Sequence, residues 1–506
     1  MVKRSAAFTP VSSSVPSDGL KGLKDNFRNE VTSGLLVSLI ALPLCLGIAM
    51  ASGFPAFGGL ITAIVGGLIV APLCGSQLSI KGPAAGLIAI AIASVETLGQ
   101  GDDFAGYRYT LAVLAVAALL QMLFALFRFG RFGDFFPASV VHGMLAAIGV
   151  IIFSKQVHPL LGVKPLSQHP IDLLLEIPHS LVAMNPRVAL VGVTSILIVV
   201  LAPMMLGKLS KYFPGPLLAV LAGICFCLSF DFAHPHKYTW YSNEYLLDEK
   251  FLVNLPSTFV AGLNFPDFSK LFSTTSLQFI VMFSLIGSIE SLLTVKAVDS
   301  VDPYKRRADL NKDLMAVGFG NFVLSLIGGL PMISEVVRSY ANVSYGAKTR
   351  WSNFMHGAWL LIFAVMLADI IHLVPVAALA GVLCVTGYRL AAPIRFKHCK
   401  EIGTEQLVVF LATIVGTLFT DLLIGVVIGV LVQYVCCVMM GAPIASLLTP
   451  VAPPRKVGEG HLVVTLPTTC FFGNVISFKR CIDGMSDDVV ELDFSQTVHV
   501  DHTFMH

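Results

Sequence analysis

Glu290 stands alone as a carboxylate in an apolar run, Phe283-Ser-Leu-Ile-Gly-Ser-Ile-Glu290-Ser-Leu-Leu-Thr294. Helical spacing puts Gly287 and Thr294 on its face. An acid at the centre of a membrane helix costs about 2.5–3.5 kcal/mol on insertion scales, and a bound cation offsets that cost. Glu290 with the Thr294 hydroxyl therefore reads as a site for a coupling ion, Na⁺ or H⁺. The alternative is a structural hydrogen bond from Glu290 to a neighbouring helix.

Two further segments share an unusual chemistry. Ser79-Ile80-Lys81-Gly82-Pro83-Ala84-Ala85-Gly86 opens the apolar run from Leu87 to Ala93. Half a chain later comes Gly328-Gly329-Leu330-Pro331-Met332-Ile333-Ser334-Glu335-Val336-Val337-Arg338. Each puts Gly and Pro where a membrane helix should begin, and each carries a cation. Irregular backbone at membrane depth is tolerated only inside protein or along a cavity. Matched interruptions in two halves of a chain point to a transport site.

The expected chemistry is anion binding. Helix N-termini present unpaired N–H groups and about half a positive charge. Pro83 suits a first helical position and Ser334 an N-cap. Lys81, Gly82, Pro83, Ala84 and Ala85, with Ser334, Glu335, Val336 and Arg338, are the expected substrate-binding residues. Lys81 adds charge to one helix end or snorkels away from it. Arg338 contacts substrate or pairs with Glu335 at i, i+3. Glu335 competes with an anion at the second helix end, or joins Ser334 as another coupling position.

These residues need a membrane to position them. Of 506 residues, 55% are hydrophobic and 13% charged, against roughly 25% charged in soluble domains. Apolar runs recur as fourteen candidate spans, the third over 79–98 and the tenth over 334–347. The net charge of +2 says little, but its distribution orients the chain. Loops after even spans are basic, carrying Arg128, Arg131, Lys208, Lys211, Lys305, Arg306, Arg307, Lys348, Arg350, Arg395 and Lys397. Opposite loops carry Asp102, Asp103 and Asp421. The positive-inside rule puts both termini in the cytoplasm. Seven spans per half is an odd number, so the repeat is inverted, with halves at about 31–232 and 276–445.

Residues 1–30 read as a cytoplasmic tail, without the apolar core of a signal peptide. Residues 231–275 form a polar linker between the halves, and 446–457 a second one. Residues 458–506 read as partial soluble α/β structure, with strands at His461–Leu466 and Asp488–Phe494 around a helix near Ile476–Met485.

Ten cysteines are present, and their spacing builds no metal site; they read as buried thiols. His234 and His236 make a weak metal pair. Glu405, His356 and His372 read as rim or packing residues. No nucleophile–base arrangement, phosphate loop or zinc spacing supports an enzyme, and nothing suggests a cofactor or nucleic acid.

Taken together, these motifs resemble the SulP (sulfate permease) family of inorganic-anion transporters. The resemblance rests on Gly34-Leu-Leu-Val-Ser-Leu-Ile-Ala-Leu-Pro43, Gly82-Pro83, Gly287–Thr294 and Gly328-Gly329-Leu330-Pro331. Phe471-Phe472-Gly473-Asn474, Leu492–Ser495 and Val500–Thr503 look like the start of a STAS domain. It implies an all-α polytopic fold of uracil-permease type with a 7+7 inverted repeat. It also implies a core (spans 1–4, 8–11), a gate (spans 5–7, 12–14), an anion between spans 3 and 10, alternating access and a homodimer. Na⁺-coupled bicarbonate members carry an acid and a Thr that match Glu290 and Thr294, although the acid here is Glu rather than Asp. Lys81 and Glu335 resemble a bacterial branch, which tilts the expected substrate towards bicarbonate over sulfate and the location towards a bacterial inner membrane. A nucleobase–cation symporter, a passive anion channel and a membrane sensor acting through the tail are the alternatives.

Overall fold

A computed structural model describes residues 15–130, 137–167, 169–241, 243–256, 258–420 and 422–443. Towards the C-terminus it describes 451, 455–458, 461–471, 474, 477–478, 481, 489–497 and 499–500. The 446–457 linker and the helix near Ile476–Met485 fall largely outside these residues, as do Phe472, Gly473 and Asp501–Thr503.

The first half opens with α1 (Gly19–Ala51), α2 (Ala56–Val65) and a π-helical turn over Gly66–Val70. The strand β1 (Ile80–Pro83) follows, then a 3₁₀ turn over Ala85–Leu87, α3 (Ile88–Gly99) and α4 (Asp103–Leu126). Next come α5 (Ala138–Leu160), the short α6 (Pro170–Val182), α7 (Pro186–Leu206) and α8 (Gly215–Phe230). A hairpin of β2 (His236–Trp240) and β3 (Asn243–Leu247) fills part of the expected linker, buried through Phe232, Tyr238 and Leu247.

The second half starts with α9 (Thr274–Val301), α10 (Leu310–Ile327), the strand β4 (Met332–Glu335), α11 (Val336–Ser344) and α12 (Trp351–Met366). It continues through α13 (Ala368–His372), α14 (Val376–Leu390), α15 (Pro393–Ile402), α16 (Thr404–Phe419) and α17 (Leu422–Met439). Beyond lie β5 (Arg455–Gly458), β6 (His461–Thr465), β7 (Thr469–Cys470), β8 (Val489–Asp493) and β9 (His499–Val500). β6 pairs in parallel with β8, and β7 with β9. Phe471 packs against Tyr434 of α17 at a tilt of 59°, ring centroids 4.9 Å apart.

Among the described residues, seven helices are long and apolar enough to cross a membrane by length and composition, and five shorter apolar helices accompany them. α10, which opens on Asn311, Lys312 and Asp313, and the nine-residue α11 fall in neither group. One bundle packs α4 on α3, α9 and α10, and α1 on α2 and α12; another packs α5 on α14, α16 and α17, and α7 on α8 and α14.

One boundary needs correction. Residues 19–30, expected as tail, are the first turns of α1, capped by Asp18. They fasten onto the loop before α12: Glu30 Oε1 accepts from Thr349 N at 3.1 Å, and Asp18 Oδ2 accepts from Arg350 Nη2 at 2.8 Å.

Candidate functional site

The two interruptions meet as a ribbon. β1 pairs antiparallel with β4, Ile80 opposite Glu335 and Pro83 opposite Met332. Four-residue strands buried in protein leave backbone groups that must be paired. Ala84 N donates to Pro331 O at 3.1 Å, and Ile80 N to Ser339 Oγ at 2.8 Å. On the outer edge of β4, Met332 N donates to Asn321 Oδ1 at 2.6 Å and Leu330 N to Thr62 Oγ1 at 2.8 Å. Apart from Pro331 O, the supports are side chains on neighbouring helices, Ser339 of α11, Asn321 of α10 and Thr62 of α2.

This geometry revises both expected caps. Pro83 ends β1 and is not a first helical residue; the helical turn begins at Ala85. Ser334 lies inside β4, and the N-cap position of α11 belongs to Glu335, whose side chain makes no capping bond to its own helix.

Lys81 is also placed differently from the free cation expected at a helix end. It is fully buried, and its Nζ lies 2.6 Å from both Asp313 Oδ2 and Ser334 Oγ. Asp313 accepts a second bond from Ser76 N at 3.1 Å through Oδ1. Ser334 N and Oγ both bond Ser291 Oγ at 3.2 Å. The Lys81 charge is therefore matched by Asp313, in the first turn of α10, where a helix end also favours an acid.

Arg338 is left without such a partner. It is 1% exposed, and its Nη1 reaches Cys45 Sγ at 3.5 Å, while Nε and Nη2 have no hydrogen-bond partner. The expected Glu335–Arg338 ion pair does not form within 4 Å. A Cβ on Gly82 would strike Nη1, so glycine there lets the guanidinium lie against β1. His356 of α12, expected as packing, is fully buried within electrostatic reach of Arg338, and neither ring nitrogen has a partner.

Both glutamates converge on the start of α3. Glu335 Oε1 faces Ala85 N at 3.4 Å. The Glu290 carboxylate packs against Gly86 so closely that any Cβ there would overlap both its oxygens. Glu290 is buried, and its Oε2 has no partner. Thr294 is buried one turn along α9 and makes no hydrogen bond to it; Ser291 is the α9 hydroxyl that reaches β4. Ala85 and Glu335 are partly accessible and Val336 is exposed, whereas Gly82, Pro83, Ala84, Ser334 and Arg338 are buried.

Asp313, Ser291, Cys45, Asn321 and His356 were not expected in the site. Asp313 follows Lys312 at the edge of a basic loop and reads there as a loop charge. The others are single small or polar residues on otherwise ordinary helices. The arrangement is two helix starts, a lone guanidinium and two carboxylates within one buried neighbourhood. Among the described residues no His, Cys, Asp and Glu cluster could hold a metal ion.

Comparison with known proteins points the same way. The family model described as "Sulfate permease family" matches residues 27–413. The putative sulfate transporter YvdB of Bacillus subtilis is 26% identical over 412 residues, spanning 81% of this chain and 73% of that protein. The bicarbonate transporter BicA of Picosynechococcus is 24% identical over 412 residues, spanning 81% and 70%. The solved transmembrane domain of a cyanobacterial BicA superposes with a TM-score of 0.67 at 23% identity, covering 80% of this chain and 97% of that one. Murine Slc26a9, an anion transporter solved in an inward-facing state, gives 0.70 at 15% identity, covering 95% and 82%.

Proposed function

Because the chain belongs to the sulfate permease family of anion transporters, an integral membrane family without enzymatic members, we propose that it is a secondary-active transporter of bicarbonate or sulfate. The anion binds between the starts of α3 and α11, and a cation, H⁺ or Na⁺, accompanies it. The observation that carries this reading is the burial of Arg338 beside those two helix starts, with no salt bridge and with Nε and Nη2 unpartnered. A buried unpaired charge is strongly unfavourable unless something neutralises it. A small oxyanion does so, accepting from the guanidinium and from backbone N–H groups.

Charge balance supports coupling. Asp313, Glu290 and Glu335 contribute three carboxylates, and Lys81 and Arg338 two cations. One negative charge is left over before any anion arrives, and the anion adds one more as bicarbonate or two as sulfate. A proton or Na⁺ at Glu290 cancels the charge left over before the anion arrives, and its unpartnered Oε2 is the atom to receive it. Thr294 stays a candidate second ligand for Na⁺, one turn away on the same helix.

Alternating access then takes the form of the α1–α4 and α9–α12 bundle moving against the other helices. α11 supports this reading by its inverted amphipathicity, with Arg338, Ser339 and Asn342 buried while Val336 and Val337 are exposed. An inverted 7+7 repeat is supported by the antiparallel β1–β4 pairing. Cytoplasmic termini are supported by the basic loops, and a STAS-like tail by the parallel β6–β8 pair. A homodimer in a bacterial inner membrane, with a cytoplasmic partner for the tail, belongs to the same reading. The buried Arg338 favours a small anion over a nucleobase.

The test is uptake of labelled bicarbonate and sulfate into proteoliposomes, with Na⁺ and H⁺ gradients imposed separately. Uphill accumulation of one anion under one gradient is the expected result and excludes a passive channel. Transport of neither anion under any gradient sinks the reading. Preserved transport after deleting residues 455–506 argues against a pure sensor.

A further inference from the structure

Glu335 occupies the N-cap position of α11 yet turns its carboxylate to the other helix. Its Oε1 faces Ala85 N, the first residue of the turn that leads into α3. No other side chain caps that turn or α3 itself. The backbone N–H that an incoming anion needs is thus already facing an anion, one supplied by the chain.

Three details make this contact a place-holder rather than a fixed strut. At 3.4 Å it is long for an N–H···O bond, whose usual range ends near 3.2 Å. Glu335 is partly accessible, whereas Arg338, Lys81 and Asp313 are buried. The guanidinium three residues on keeps two unpaired nitrogens, so the carboxylate is not committed to it. The charged and titratable groups around Glu335 are Glu290 from α9, Arg338 from its own helix and Cys45 from α1. The Lys81–Asp313 pair, from β1 and α10, reaches it through Ser334, and His356 of α12 lies beyond Arg338.

We propose that Glu335 is a tethered competitor of the transported anion, holding the Ala85 end of the site until it accepts a proton. This inference rests on the anion-transport reading above. The step is simple in its balance. A proton from the aqueous side on which the anion enters forms an O–H bond with the Glu335 carboxylate, and no protein bond breaks. The neutral carboxyl no longer repels the anion, whose oxygen takes over the Ala85 N–H. On the opposite side the anion leaves, the O–H bond ionises, and the carboxylate returns to Ala85. By way of Glu335 one proton crosses with each anion, besides the cation held at Glu290, and the empty site is closed by the protein's own charge.

The test is binding of labelled sulfate and of labelled bicarbonate to the purified full chain between about pH 5.5 and 8.5. Wild type, E335Q and E335D are compared. Sulfate is the cleaner probe because it carries no proton in that range. Linkage limits the effect of one proton to about a tenfold gain in affinity per unit of acidification. Wild type is expected to approach that slope. E335Q keeps an oxygen for Ala85 N but no charge, so it is expected to lose the part of the slope that Glu335 supplies and to bind more tightly than wild type at alkaline pH. E335D, one methylene shorter, is expected to compete less and bind more tightly than wild type at alkaline pH. An unchanged slope in E335Q, or weaker binding than wild type throughout, overturns the proposal. Should E335Q not elute as folded protein, E335D decides, and an alkaline affinity equal to wild type overturns the proposal. Binding of neither anion by wild type or variants sinks the anion-transport reading itself, a distinct outcome.

Discussion

Lys81 and Asp313 are joined across 232 residues of chain, Nζ to Oδ2 at 2.6 Å, with both side chains buried. The pair ties β1 to the first turn of α10, and Ser334 Oγ bonds Lys81 from β4. A cation that looks like a ligand group in the sequence is thereby part of the frame.

Replacing Lys81 by Met strands the Asp313 carboxylate. Breaking a buried pair from one side costs about 3–5 kcal/mol, so K81M is expected to melt far below wild type in detergent. Adding D313N should recover most of the loss. A wild-type melting curve for K81M alone would show that the pair holds nothing together.

Arg338 predicts the opposite balance. It forms no salt bridge, and the acid within its electrostatic reach, Glu335, is partly accessible, so R338M should melt closer to wild type than K81M does. A charge-assisted hydrogen bond contributes about 1.5–3 kcal/mol, so anion affinity should fall at least about tenfold. Unchanged affinity with a lowered melting point would make Arg338 a structural residue.

Glu290→Gln is expected to reduce gradient-driven uptake strongly, since the amide neither takes up a proton nor balances Na⁺. Near-normal uptake that keeps its cation dependence would reduce Glu290 to a packing role.

Gly86→Ala tests the same carboxylate from the other side. The added methyl occupies the place of the Glu290 oxygens, so the acid must move away from the α3 start. Coupled uptake should fall as it does in Glu290→Gln, and the two changes combined should cost little more than either alone, as expected for groups acting together.

Glu176 gives a prediction at the surface. Its carboxylate accepts from Leu166 N at 2.9 Å and Ser167 N at 3.3 Å, and these bonds, the first above all, hold its pKa below the ordinary carboxylate value. A pKa lowered by folding stabilises the folded loop above the unfolded value, and that contribution is lost as pH falls through the folded one. Amide exchange of residues 163–167 should therefore quicken only on strong acidification, and E176Q should show quickened exchange already at neutral pH. Equal exchange in wild type and E176Q at neutral pH would refute it.

Much of the site was legible because glycine and proline are conspicuous in apolar sequence. Residues 79–86 and 328–338 stood out for that reason, and so did Glu290, a lone charge in a long apolar run. The ribbon was not legible, since four-residue strands carry no period long enough to read. Pro83 and Ser334 were assigned to helix starts by local preference, which the β1–β4 pairing overrides. Asp313 was hidden beside Lys312, and only the fold brings it to Lys81. Helix α6 was missed because Pro178 and its polar neighbours interrupt the apolar pattern. The first turns of α1 were missed because Lys21, Lys24, Asp25 and Arg28 read as tail.

The β1–β4 ribbon also sets an order of events during synthesis. Residues 80–83 leave the ribosome roughly 250 residues before their partners at 332–335, which at about 5–20 residues per second is a delay of roughly 12–50 seconds. Throughout that interval the Ile80–Pro83 backbone is in or near the bilayer without its partner strand, where unsatisfied groups are costly. The nascent first half must therefore keep this segment wet or covered until β4 arrives. The candidate site therefore comes together only once roughly two thirds of the 506 residues have been made.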